Sequence, residues 1–176
     1  MLKLLAKHFD CVDLVRNPEN FGFGPANNIG AEQYGMVSDV LVFTQTDVRF
    51  HGDPIPLIQE AKQGELYGAR LLDGDTGWNT FGTVTVSYLE GWFLSCTKET
   101  WDRLGGFDPR YVPADFEDVD LCYNSVHKGV VLVEKPFPVS HNNMGASGWQ
   151  QFQVKGMNRE AVTIRNRELF AAKWSL

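Results

Sequence analysis

The sequence is poor in several things that would have fixed its class. It has only three cysteines, Cys11, Cys96 and Cys122, in 176 residues, with no Cys-x-x-Cys pair. Three thiols cannot all pair with one another, which argues against a disulfide framework and for buried thiols in a reducing compartment. Long apolar runs are missing too: Val40–Phe43 and Val130–Val133 fall far short of the ~20 residues that a membrane-spanning helix needs. Met1–Asp10 is too short and, with Lys3 and Lys7, too charged for a signal-peptide core, so a cytoplasmic address is expected, with peripheral membrane association left open. There is no Lys/Arg block, and the formal net charge is −6. A chain without clustered cations cannot neutralise a phosphate backbone, so nucleic acid is not an expected partner. Walker and dinucleotide glycine motifs are absent, as are internal repeats and linkers.

What remains is an ordinary foldable composition, 43% hydrophobic and 12% aromatic, long enough for one domain with a substantial core. Apolar spacing predicts a short amphipathic helix through Leu2, Leu4, Leu5 and Phe9, then a strand over Cys11–Arg16. A turn at Asn17–Pro25 leads into a helix from Pro25 to Tyr34. Asp39–Thr44 carries apolar residues at every second and intervening position, the pattern of a central strand covered on both sides. A helix over Leu57–Lys62 closed by Gly64, and a strand over Leu66–Leu72 interrupted at Gly68, continue an α/β alternation. Thr83–Tyr88 and Gly91–Cys96 are strand-like. Thr97 is placed to cap a helix ending at Leu104 before Gly105-Gly106, and Asp115 to cap one ending near Gly129. Val130–Val133 reads as a final buried strand and Glu160–Trp174 as an amphipathic closing helix.

Five places could carry chemistry. Asp47 follows the apolar strand at its carboxyl end, where open α/β sheets place ligands; it could hold a hard cation with substrate phosphates, or simply cap the next turn. Asp115, Glu117, Asp118 and Asp120 fall within six residues. One or two acids suit a helix start, but four crowd one another and raise pKa values, making Asp118 or Glu117 a general-base candidate. His141 stands in a loop after Val130–Val133 and could ligate a metal or touch phosphate, or merely hydrogen-bond in solvent. The glycine loop Asn20–Gly24, leading to Asn28 and Gly30, could aim backbone N–H groups at a phosphate. Trp92 could stack on a sugar, or pack in the core. His8, His51 and His127 suggest no site.

In this order the segments resemble the family 2 glycosyltransferases, inverting enzymes of GT-A fold, and in particular the rhamnosyltransferase-like branch. The resemblance rests on Asn20, Gly22, Phe23, Ala26, Asn28 and Gly30; on the strand Val40–Asp47; on Gly105-Gly106-Phe107-Asp108; on Glu117-Asp118-Val119-Asp120-Leu121-Cys122; and on His141, Gly145 and Ser147. It implies an α/β three-layer sandwich with a mixed sheet and transfer of a sugar from a nucleotide-sugar donor to a hydroxyl of a glycan acceptor. By the same resemblance Asp47 and His141 would hold Mn²⁺ or Mg²⁺ on the diphosphate, and Asp118, assisted by Glu117, would be the base. Asn20, Gly22, Phe23, Asn28 and Trp92 would line the donor site. Family members open with a strand, a helix and a second strand that cradle the nucleoside. Roughly forty to fifty residues of that opening have no counterpart here, so an N-terminally truncated sheet is expected, with three readings open: the sequence is a piece of a longer enzyme, a second copy or another chain completes the sheet, or a reduced sheet folds alone. A non-catalytic carbohydrate-binding or scaffolding domain is the alternative.

Overall fold

The computed structural model describes residues 13–35, 38–141, 152 and 156–176. The expected helix before Asp10, Cys11 and Val12 of the expected strand, and Gly145 and Ser147 all lie outside these residues. Asp13–Arg16, the remainder of that strand, has no regular structure.

In chain order the elements are α1 (Phe23–Tyr34), β1 (Val40–Thr44), β2 (Val48–Phe50), α2 (Ile55–Gln59), β3 (Glu65–Gly68), β4 (Leu71–Leu72), β5 (Thr80–Phe81), β6 (Val84–Thr85), β7 (Tyr88–Leu89), β8 (Phe93–Thr97), α3 (Lys98–Leu104), α4 (Glu117–His127), β9 (Val131–Glu134), β10 (Val139–His141) and α5 (Arg159–Trp174). Four strands form one mixed sheet in the order β1-β8-β3-β9, antiparallel except for the parallel pair β3 and β9. β2 pairs with β10, β4 with β7, and β5 with β6. The chain is therefore an α/β fold with a mixed sheet.

Side-chain alternation divides the sheet between two cores. Leu66, Leu94 and Cys96 face one side, where Trp101 and Leu104 of α3 and Leu121 and Cys122 of α4 cover them. Tyr67 and Phe93 face the other, packed with Trp92, Phe137 and the apolar residues Leu57 and Ile58 of α2. β8 is buried along both faces and is, with β3, one of the two interior strands of the sheet. The expectation for Asp39–Thr44 needs correction in the same terms. β1 pairs with β8 alone among the described strands, and its burial alternates, with Leu41 and Phe43 inside and Val42 39% exposed. β9 is likewise an edge, with Val131 59% exposed, rather than a buried strand.

The α3 start follows from its sequence: Thr97 Oγ1 accepts a hydrogen bond from the Thr100 N–H at 3.2 Å, and Gly105 closes the helix in the left-handed region at φ 82°. At α4 the expected Asp115 cap does not form. Asp115 and Phe116 take positive φ values of 72° and 75°, which turn the Asp115 carboxylate away from the helix N–H groups and onto α5. There it accepts hydrogen bonds from Arg159 Nη2 at 2.6 Å and Thr163 Oγ1 at 2.7 Å. Asn166 Nδ2 holds the carbonyls of Ala114 and Asp115, both at 2.8 Å. α5 thus fixes the loop from which α4 starts.

Candidate functional site

The hairpin-like segment Glu90-Gly91-Trp92 between β7 and β8 connects the acidic helix to the strand ends. Gly91 N–H donates to Asp118 Oδ2 at 2.8 Å, and Asp118 Oδ1 accepts from the Val119 N–H at 2.8 Å. A Cβ at Gly91 would lie 3.0 Å from Asp118 Cβ and 3.2 Å from its Oδ2, so this close approach requires glycine. Trp92 Nε1 donates to Glu90 Oε2 at 2.9 Å, and Arg70 Nη1 lies 3.5 Å from the same oxygen. Trp92 O accepts from Gln45 N–H at 3.1 Å, which ties the segment to the chain just before Asp47.

Trp92 is only 8% exposed, and its indole is parallel to the His141 imidazole, with planes 4° apart and centroids at 5.4 Å. It is a largely buried residue with its ring stacked on a histidine, so what it presents to the neighbouring cleft is a small part of its surface and not a broad platform for a sugar. His141 ends β10, where it pairs in register with Val48. Its Nε2 lies 3.3 Å from Asp47 Oδ1, yet this buried nitrogen makes no hydrogen bond. A carboxylate oxygen and an unbonded imidazole nitrogen at this spacing are the donor types that Mn²⁺ accepts, and Mg²⁺ through the carboxylate. Two protein ligands suffice only where substrate oxygens and water complete the shell. Among the described residues no group of three His, Cys, Asp or Glu side chains could hold a metal ion.

Beside this pair lies an open cleft of about 470 Å³ bordered by Arg70, Glu90, Trp92, Glu134, Ser140 and His141. Arg70, Glu90 and Glu134 were not legible as candidates in the sequence, since none belongs to a motif or a cluster of like residues. Their signal is positional: Arg70 and Glu90 flank breaks in β-structure, and Glu134 ends β9 and accepts from Leu71 N–H at 2.7 Å.

The four crowded acids have four different surroundings. Asp115 is paired with Arg159, as described. Glu117 is 5% exposed, one of its oxygens has no hydrogen bond, and burial first, then the Asp118 charge, pushes its pKa well above the usual carboxylate range. Burial also raises Asp118, to about 6, against the pull of the Gly91 and Val119 N–H groups. Asp120, 3% exposed, is a structural anchor: it accepts from Tyr111 Oη at 3.1 Å, Lys173 Nζ at 2.7 Å and Trp174 Nε1 at 2.8 Å. Only Asp118 combines an elevated pKa with a side chain that is not fully enclosed, the condition for a proton acceptor near neutral pH.

The glycine-loop residues serve the fold. Asn20 Oδ1 accepts from Gly22 N–H at 3.0 Å, Gly22 at φ 87° starts α1, and Phe23 packs edge-on against Phe107 at 5.6 Å. Asn28 is committed at both ends of its amide, donating to Phe107 O at 2.8 Å and accepting from Phe107 N–H at 2.9 Å. These residues staple α1 to the Gly105–Asp108 turn, and none borders the cleft. Cys96 and Cys122 are buried, and burial pushes Cys96 up to about 12 and Cys122 higher still, so both are inert thiols. His51 bonds Ser140, and His127 stacks on Trp174. No helix among the described residues is long and apolar enough to cross a membrane.

No protein-family model matches the chain, and no curated protein matches it.

Proposed function

We propose that this chain is a GT-A-type inverting glycosyltransferase domain, acting on a nucleotide-diphosphate sugar and a hydroxyl of a saccharide. The observation that carries the proposal is the Glu90-Gly91-Trp92 segment, which holds the candidate base Asp118 at one residue and the Asp47–His141 pair through the next. Residues 47, 118 and 141 are distant in the chain and are linked through this one segment, although of the three only His141 borders the cleft.

In the proposed reaction Asp118, ionised above about pH 6, accepts the proton of the acceptor hydroxyl. The acceptor oxygen forms the new bond to the anomeric carbon as the bond from that carbon to the diphosphate breaks, and the electron pair leaves on the diphosphate oxygen. Asp47 and His141 would hold a divalent cation whose charge offsets that developing on the leaving diphosphate. Burial of Glu117 disfavours its charged form, which works against a second charge beside the ionised Asp118. Arg70 and Glu134 supply hydrogen-bonding groups to the adjoining cleft.

A non-catalytic carbohydrate-binding role is the second reading, favoured by the two-ligand cation pair. Incubation with UDP-, dTDP- and GDP-sugars plus Mn²⁺, scoring nucleoside diphosphate release, separates the two. The transferase reading expects turnover that falls ~10²–10⁴-fold in Asp118→Asn and is lost in Asp47→Ala. No turnover in the wild type, with glycan binding retained, would replace it with the binding module.

A further inference from the structure

Resting on the cation site proposed above, we infer that Glu90 is a positioning residue that sets the orientation of the His141 imidazole through the indole of Trp92. The backbone of His141 is fixed by pairing with β2, and that of Trp92 by its carbonyl hydrogen bond to Gln45 N–H. Neither constraint determines the plane of a ring about its own side-chain torsions. His141 Nε2 lies 3.3 Å from Asp47 Oδ1 without forming a hydrogen bond, so that contact holds the ring by charge and not by a directional bond. What it does have is a parallel aromatic face, 4° from coplanar alignment, on one side. An offset stack of this kind restrains tilt but depends on the partner ring being held still.

Glu90 holds it. Its Oε2 accepts the indole N–H at 2.9 Å, and Arg70, 3.5 Å from the same oxygen, restrains the carboxylate from the opposite strand connection. The indole N–H is a donor that a largely buried tryptophan must satisfy. Truncating Glu90 therefore frees the ring to seek another acceptor, and the imidazole loses its template. Metal-ligating histidines are ordinarily oriented by a hydrogen bond to the other ring nitrogen. Here the orienting contact is a ring face, and the carboxylate acts one residue further out. Glu90 acts through Trp92 and is a positioning residue, not a catalytic one.

The test uses the full chain, with Glu90→Ala, Glu90→Gln and, as an independent perturbation, Trp92→Phe, which keeps an aromatic face but has no N–H for Glu90. The first readout is the NMR position of the His141 ring protons, assigned by their disappearance in His141→Gln; the second is Mn²⁺ affinity by electron paramagnetic resonance. In the wild type the indole ring current displaces the His141 protons upfield. Glu90→Ala and Trp92→Phe should lose that displacement and bind Mn²⁺ roughly tenfold more weakly. Glu90→Gln, whose amide oxygen still accepts the indole N–H, should stay close to the wild type in both. His141 resonances unchanged in Glu90→Ala overturn the inference, whatever the metal result and whatever Trp92→Phe shows. If the wild type binds no Mn²⁺ while His141 still responds to Glu90, the cation reading falls and the positioning role of Glu90 stands.

Discussion

Asp118→Asn should make the protein more stable at neutral pH while lowering the transferase activity proposed above. Asp118 has a folded-state pKa raised from the ordinary 3.8 to about 6, chiefly because burial penalises the charged form. A carboxylate shifted this way contributes its stability when protonated: the contribution is complete below about pH 4 and is lost as pH rises through 6. At pH 7.5 the ionised form therefore destabilises the fold by about 3 kcal/mol, at 1.36 kcal/mol per pH unit. Asparagine is neutral throughout and keeps one oxygen to accept from Gly91 or Val119 N–H, but not both. Losing one of these bonds offsets about 1 kcal/mol. The net gain is about 2 kcal/mol, or ~4–8 °C in Tm for a domain of this size. Thermal unfolding of the two proteins, followed by circular dichroism from pH 4 to pH 8, reads this directly. The two melting curves should lie close together near pH 4 and separate as pH rises through 6, the variant melting higher. A variant that melts lower than the wild type at pH 8, or a difference that does not change with pH, would refute the assignment of a desolvated, ionised Asp118.

Two further substitutions test the framework around it. Gly91→Ala places a methyl group against Asp118 at a backbone position of ordinary φ, so its effect is contact rather than backbone strain; we expect ~1–3 kcal/mol of destabilisation and a displaced base, read as a lower Tm together with loss of donor turnover. Asn28→Ala orphans the N–H and carbonyl of Phe107 and should lower stability by ~2–4 kcal/mol, seen as a reduced urea midpoint at unchanged slope, without altering Mn²⁺ binding.

The parts of this molecule that could be read from sequence are those decided by near neighbours. Thr97 and Gly105 announce α3 because a cap and a left-handed closing residue act within one turn. Gly68 announces the end of β3, because glycine interrupts a strand pattern by its own lack of a side chain. The acid-rich stretch and His141 were visible as residue types with chemistry. Layer position was not: Val40–Thr44 and Phe93–Thr97 are both apolar runs, and only pairing decides that the second is interior and the first an edge. The division of labour among Asp115, Glu117, Asp118 and Asp120 was likewise hidden. It depends on Arg159, Lys173 and Trp174, contributed from tens of residues away. Asn20 and Asn28 showed the converse: residues whose spacing suggested a ligand loop have their amides occupied by the chain's own backbone.

That dependence on α5 has a temporal side. Asp120 is secured by Lys173 and Trp174, and Asp115 by Arg159 and Thr163. A polypeptide emerging from the ribosome therefore exposes its acidic helix before the clamps that seat it exist. Until Trp174 is free of the exit tunnel, Asp115 and Asp120 face the other acids of that stretch without the Arg159 and Lys173 cations that pair with them in the finished fold.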